Sequence, residues 1–138
     1  MVTSRLRAVV FDCHHPVSLA RFWAATLGYQ VRAYDDAELQ RLRMEGIDDP
    51  EGDPSVVIDP VDGGPSVWFN RVPEAKTVKN RVHIDVDLDD AADIAALVAR
   101  GARLLRPHGA VPDEGGRSWP TRKATSSAPS HRDSRRQE

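Results

Sequence analysis

The spacing of hydrophobic positions changes repeatedly along the chain, and each change predicts an element. The opening LRAVVFDC, residues 6–13, is a short apolar run rich in Val and Phe. It is too short for a helix of its own and predicts a buried strand. Pro16 then suits a first helical turn, where its missing N–H would have no partner anyway. Leu19, Phe22, Trp23, Thr26 and Leu27 recur at helical spacing, so one face is apolar, and Gly28 supplies the stop. Residues 29–34, YQVRAY, alternate and predict a second strand. Residues 37–46, AELQRLRMEG, are helix formers ending in Gly and predict a short helical insertion, followed by the acidic, Pro-bearing loop IDDPEGDP. Residues 55–59 (SVVID) and 66–72 (SVWFNRV) predict strands joined across Asp62, Gly63, Gly64 and Pro65, a turn-forming cluster that makes a hairpin. The order is β-α-β-β-β.

The pattern then begins again. After the polar linker PEAKTVKN, residues 81–88 (RVHIDVDL) alternate strictly, with Val82, Ile84, Val86 and Leu88 on one face and His83, Asp85 and Asp87 on the other. Asp89 or Asp90 can cap a following helix that carries Ile94, Leu97 and Val98 on one side and stops at Gly101. Residues 102–106, ARLLR, predict the next strand. A second β-α-β is formed, and two further strands would complete the repeat. They do not follow: from Ala110 onward no segment alternates, and after Trp119 the chain holds no Val, Ile, Leu, Met, Phe, Tyr or Trp. Such a stretch cannot bury enough surface to offset its ordering entropy, so residues 117–138 are expected to form a disordered basic tail.

Composition bounds the function. A chain of 138 residues that is 40% hydrophobic has room for one domain. Its single cysteine, Cys13, cannot form an intramolecular disulfide, and no apolar run approaches the ~20 residues of a membrane-spanning helix. The N-terminal residues lead straight into a strand pattern without a signal-peptide h-region, which makes a cytoplasmic location the expectation. The formal net charge of -2 conceals an asymmetry. Residues 1–116 carry 13 Lys/Arg against 19 Asp/Glu, a balance of -6, whereas residues 117–138 carry 6 against 2, a balance of +4. The acidic body excludes a nucleic-acid groove, which needs clustered positive charge to displace phosphate counterions.

Two β-α-β-β-β modules in tandem resemble the layout of the vicinal oxygen chelate (glyoxalase/bleomycin resistance/dioxygenase) superfamily. The segment AVVFDCHHPVSLARFWAATLGYQV is similar to the first strand and helix of its glyoxalase-like branch, and VWFNRVPEAKTVKNRVHIDVDL resembles that branch's module junction. The resemblance implies an α+β fold in which the modules curl into a cupped sheet around a small-molecule cleft. It divides the chain into a glyoxalase-like domain over residues 1–116, with module one at about 5–72 and an incomplete module two at about 80–116, and the tail. In metal-dependent members, ligands on the first and last strands of each module hold a divalent ion. Matched by position, the first-strand ligand falls at Ala8, which has no donor atom, and the fourth-strand ligand near Phe69 or Asn70, neither a strong ligand. Of the matched positions only His83 is metal-capable, and one histidine cannot hold a catalytic ion that takes three protein ligands. The resemblance thus implies a small-molecule-binding domain, with a divalent metal ion as a possible cofactor but none the better expectation. Two rivals stand beside it: a true metal-dependent lyase, isomerase or dioxygenase that uses His83, and a metal-free protein that sequesters a drug or metabolite, as bleomycin-resistance members do. A homodimer is also expected, because an unfinished sheet leaves an edge to cover.

Each candidate has a plainer reading. His83 is either a ligand or a structural histidine of a strand. Asp85 and Asp87 share its face and either add oxygen ligands or are solvated charges. Trp68 and Asn70 share one strand face and Phe69 the other, so one set lines the cleft, with Trp68, Asn70, His83 and Asp85 as the lining, or the aromatics simply pack a core. His14 and His15 are neighbours on extended chain and point apart, so they cannot chelate one ion together and belong to the helix start. Cys13 has no partner that would make it a nucleophile. Lys76, Lys79 and Arg81 either meet an anionic group or belong to a solvated linker.

The tail is further expected to come from a shifted reading frame. Related glyoxalase-like chains end in a segment like ADPEGNEFC, whose Glu before Phe is the last metal-ligand position. Residues 120–130, PTRKATSSAPS, back-translate as CCN ACN CGN AAR GCN ACN AGY TCN GCN CCN TCN. Read from the third base this becomes NAC NCG NAA RGC NAC NAG YTC NGC NCC NTC, which allows Asp-Pro-Glu-Gly-Asn-Glu-Phe-Cys-Ala-Phe. Two of three bases in nearly every shifted codon are fixed by the chain's own residues, which makes coincidence a poor explanation. A genuine basic arm would leave the out-of-frame motif unexplained. The coding DNA is expected to spell that motif in the shifted frame, and sequencing it decides: any other free bases rule the frameshift out.

Overall fold

A computed structural model describes residues 3–90 and 92–104. The chain separates into two compact units, Met1–Val78 and Lys79–Glu138. The first holds β1 (Ala8–Cys13), α1 (Pro16–Leu27), β2 (Gln30–Val31), α2 (Asp36–Met44), a 3-10 turn (Pro50–Gly52), β3 (Ser55–Asp59) and β4 (Ser66–Arg71); the second holds α3 (Ala92–Ala99). No described helix is long and apolar enough to cross a membrane.

In the first unit the helix signals act as their chemistry requires. Pro16 occupies the first turn of α1, and Gly28 ends it in the left-handed region at φ 68°, which a residue without Cβ adopts at no steric cost. The Gly28 N–H donates to the Ala24 carbonyl. Pro16, Leu19, Ala20, Trp23 and Ala24 form the buried stripe. Insertion α2 is capped by Asp35, whose carboxylate accepts from the Glu38 N–H at 2.8 Å. Arg41 bridges Glu38 and Glu45, each at 2.7 Å, along its exposed side. On the inner side Leu42 is buried. The loop after α2 is pegged by buried Asp53, which accepts from the Tyr34 hydroxyl and the Ser55 N–H, both at 2.8 Å. Burial and the Asp53 carboxylate push the Tyr34 hydroxyl well above its usual range, so it stays a donor.

The sheet order is β1-β4-β3-β2, with β1 parallel to β4 and the other neighbours antiparallel. α1 is the crossover that a parallel pair needs, and it packs on β3 and β4. Cross-strand partners share a face, which sorts the side chains without ambiguity. Val56 opposite Phe69 and Ile58 opposite Val67 are buried, and Phe11 stacks on Phe69 with ring centroids 5.8 Å apart. This is the core face. The other face carries Asp12 opposite Asn70, Val10 opposite Trp68, Ala8 opposite Ser66, and Ser55, Val57 and Asp59 from β3.

Three expectations are corrected. The second strand shrinks from residues 29–34 to Gln30–Val31, because Asp35 draws the chain into α2. Residues 81–88 form no strand, although their alternation survives as burial: Ile84, Val86 and Leu88 are half-buried, and His83, Asp85 and Asp87 exposed. Residues 102–104 form none either, and 105–106, like the tail at 117–138, lie outside the described residues. The physical reason is in module one. There the first strand pairs with the fourth and the second with the third, and among the described residues of the second unit no third or fourth strand stands to pair with 81–88 or 102–104. The helix, satisfied internally, forms regardless. Asp90, of the two capping candidates, accepts from the Ala92 N–H at 2.8 Å, while Asp93 accepts from the Asp90 N–H at 3.0 Å, a reciprocal capping box.

The two faces make opposite demands on stability. Replacing Phe69, fully buried, with Ala is expected to cost about 3–5 kcal/mol. Replacing Val10, 55% exposed on the opposite face, is expected to cost under about 1 kcal/mol. Urea titration of the two variants checks the contrast.

Candidate functional site

The open face of the first unit's sheet is the surface on which functional side chains converge. β4 presents Ser66, Trp68 and Asn70 at its centre, because alternation turns Val67 and Phe69 into the core. Asn70 accepts from the Ser55 hydroxyl at 2.8 Å through its amide oxygen. Trp68 is half-buried, with the Arg32 guanidinium 5.5 Å from its ring centroid. Arg32 is fixed there by Asp59, Nε to one oxygen at 2.7 Å and Nη2 to the other at 2.8 Å. Ser66 donates to the same carboxylate at 2.7 Å. The Arg32 hydrogen bonds, foremost, hold Asp59 below the usual carboxylate range, with Ser66 adding to the effect. At the free edge of the sheet Val10 and Asp12 are exposed. The face is therefore an apolar platform, Val10 and Trp68, with a neutralised ion pair on one side and a carboxylate on the other.

The predicted lining divides between the two units. Trp68 and Asn70 share this open face, whereas Phe69 is wholly buried on the core side. His83 and Asp85 belong to the second unit, where both are exposed. A metal ion does not fit the first unit's matched positions. Ala8 offers a methyl, Phe69 is in the core, and the Asn70 oxygen is already engaged by Ser55. Among the described residues no three His, Cys, Asp or Glu side chains gather as a ligand set would. His15 sits at the N-cap of α1, its carbonyl accepting from the Ser18 hydroxyl at 3.1 Å, and His14 donates through Nε2 to the Glu74 carbonyl at 2.9 Å. The His15 ring makes no capping hydrogen bond, and the His14 ring ties the chain before α1 to the segment after β4. Burial pushes the Cys13 thiol up, away from nucleophile chemistry. Lys76 donates to the Val78 carbonyl.

Residues 8–121 match the family described as the glyoxalase-like domain. The chain belongs to that family. The match spans residues of both units of this glyoxalase-like domain. No match was found among curated proteins or among solved structures.

Sequence reasoning missed Arg32, Asp59 and Asp12. Alternation does place Gln30 and Arg32 on one face, but the ion pair depends on the β2–β3 register, in which Gln30 opposes Asp59. Neither strand carries that register in its own pattern. Asp12 was legible as the polar position between Phe11 and Cys13; its significance rests on the neutral Asn70 opposite it.

The Arg32–Asp59 pair makes stability pH-dependent in acid. Because the folded-state pKa of Asp59 is depressed, the pair's contribution is complete above the ordinary aspartate value of about 3.9 and is lost as pH falls through the lower folded value. Asp59→Asn is expected to flatten that part of the acid-unfolding profile, and comparing the unfolding midpoints of the two proteins from neutral pH down to pH about 3 measures it.

Proposed function

We propose that this glyoxalase-like domain binds a small organic molecule on the open face of its first module, without a metal ion held by that module. One observation carries the reading. Ala8, the first-strand ligand position, lies on the same open face as Trp68 and Asn70 and has no donor atom. The face presents a ligand platform but no donor at the first-strand position to chelate a metal ion. Apolar and aromatic side chains with a few placed polar groups are what small-molecule sites are made of. Val10, Trp68, Asn70 and Ser55 supply that mixture, with Asn70 already oriented by Ser55. Members that use a metal as Lewis acid need three ligands around it; this module offers, at its matched positions, at most one amide oxygen.

Metal analysis of protein purified without chelator is expected to find no divalent ion at stoichiometric, tightly held occupancy, and its presence overturns the reading. Thermal-shift screening of small organic molecules is expected to find stabilising compounds, since a ligand at 100 times its Kd stabilises by about 2.7 kcal/mol. Stabilisation without turnover favours a sequestering role; turnover favours an enzyme.

A further inference from the structure

The charges on the open face do not balance, and the imbalance names a ligand class. Three side chains there are ionic: Arg32, Asp59 and Asp12. Arg32 and Asp59 form a two-point ion pair with both hydrogen bonds under 3 Å, and the guanidinium is spent a second time on the Trp68 ring. Their fields largely cancel beyond contact range. Asp12 is different. It is exposed, it makes no ion pair among the described residues, and its cross-strand partner is the neutral Asn70. Among the described strand residues of this face, the one charge without an ion pair is therefore negative.

Its place relative to the apolar platform is set by the strands. Val10 and Asp12 are two residues apart on β1, hence about 6.6 Å apart on the same side, and each stands beside its partner on β4, Trp68 or Asn70, at about 4.8 Å. A ring lying on Val10 and Trp68 would thus carry a substituent to Asp12 at a reach of one or two bonds beyond the ring. Val10 is 55% exposed, which is costly for an aliphatic side chain in a strand centre and is relieved by a covering ring.

We propose that the open face of module one takes a flat aromatic ligand bearing a cationic amine, its ring on Val10 and Trp68 and its charge at Asp12. This rests on the small-molecule reading above and specifies its ligand. The Arg32–Asp59 pair has the opposite role: it ends the platform on the β2 side and offers no unpaired cation, so a carboxylated ring gains nothing there and meets Asp12 as a like charge.

The test uses three rings of one size in the full chain: benzylammonium, benzyl alcohol and benzoate. Binding is read by the NMR shifts of the Val10 methyls and the Trp68 indole N–H. Benzylammonium is expected to bind about two- to fivefold more tightly than benzyl alcohol, the range of a solvent-exposed ion pair, with benzoate weakest. Asp12→Asn, a substitution at an exposed position, is expected to leave the unfolding temperature unchanged and to make benzylammonium and benzyl alcohol equal. If all three probes move Val10 and Trp68 with equal affinity, if benzoate binds best, or if Asp12→Asn leaves the ranking intact, the cationic class is wrong while the open face stands as a binding surface. If no probe at millimolar concentration moves either signal, the open-face reading falls together with it.

Discussion

The parallel ladder between β1 and β4 is the constraint on which the rest of the first unit depends. Six register pairs, from Ala8 with Ser66 to Cys13 with Arg71, join the first and last strands of the module. A parallel pair cannot be closed by a tight turn, so everything between must be routed around it: α1 crosses over and packs on the sheet, and β2, α2 and β3 fill the return. The register also decides what lies on each face. Because Phe11 opposes Phe69, both rings enter the core together, and because Val10 opposes Trp68 and Asp12 opposes Asn70, the platform and its charge are presented together on the other side. A slip by one residue would exchange the two sets.

The same constraint explains why residues 81–88 are so readable and yet form no strand. Residues 81–88 alternate more strictly than β1 does, but alternation states only which side chains would share a face. It does not supply a partner. In module one, the first strand pairs with the fourth, and no second copy of that fourth strand stands among the described residues. α3 needs no such partner, and it is present with its capping box intact. Helices carry their hydrogen bonds within themselves; strands borrow theirs from distant residues.

That difference marks out what was legible in the residues. Local chemistry carried far: Pro16 and Gly28 bound α1, the Asp62–Pro65 cluster joins β3 to β4, and period-two spacing separates Trp68 and Asn70 from Phe69. The helix insertion is legible in AELQRLRMEG, although its start at Asp36 follows from the Asp35 cap, which cuts β2 short. Arg32, Asp59 and Ser66 were not legible as a unit. They come from β3, β4 and the residue that follows β2, and their meeting is a product of register and pairing order, which no single segment contains.

The sheet's two faces also separate folding from function in a way that allows one to decay without the other. The positions at which a metal ligand would sit lie on the open face, where Ala8 and Asn70 contribute little to the core. A change of side chain at Ala8 or Asn70 would leave Phe69, Ile58 and Val67 packed as before, so the module's packing does not depend on what that face binds. No comparable separation protects the second module. By the first module's pattern, the strands that would pair with residues 81–88 include the one that would carry a last ligand, so backbone pairing and chemistry there would be gained or lost together. The first module's own ladder closes within Met1–Val78, where β1 pairs with β4 and β2 with β3, so among the described residues its sheet is complete in itself.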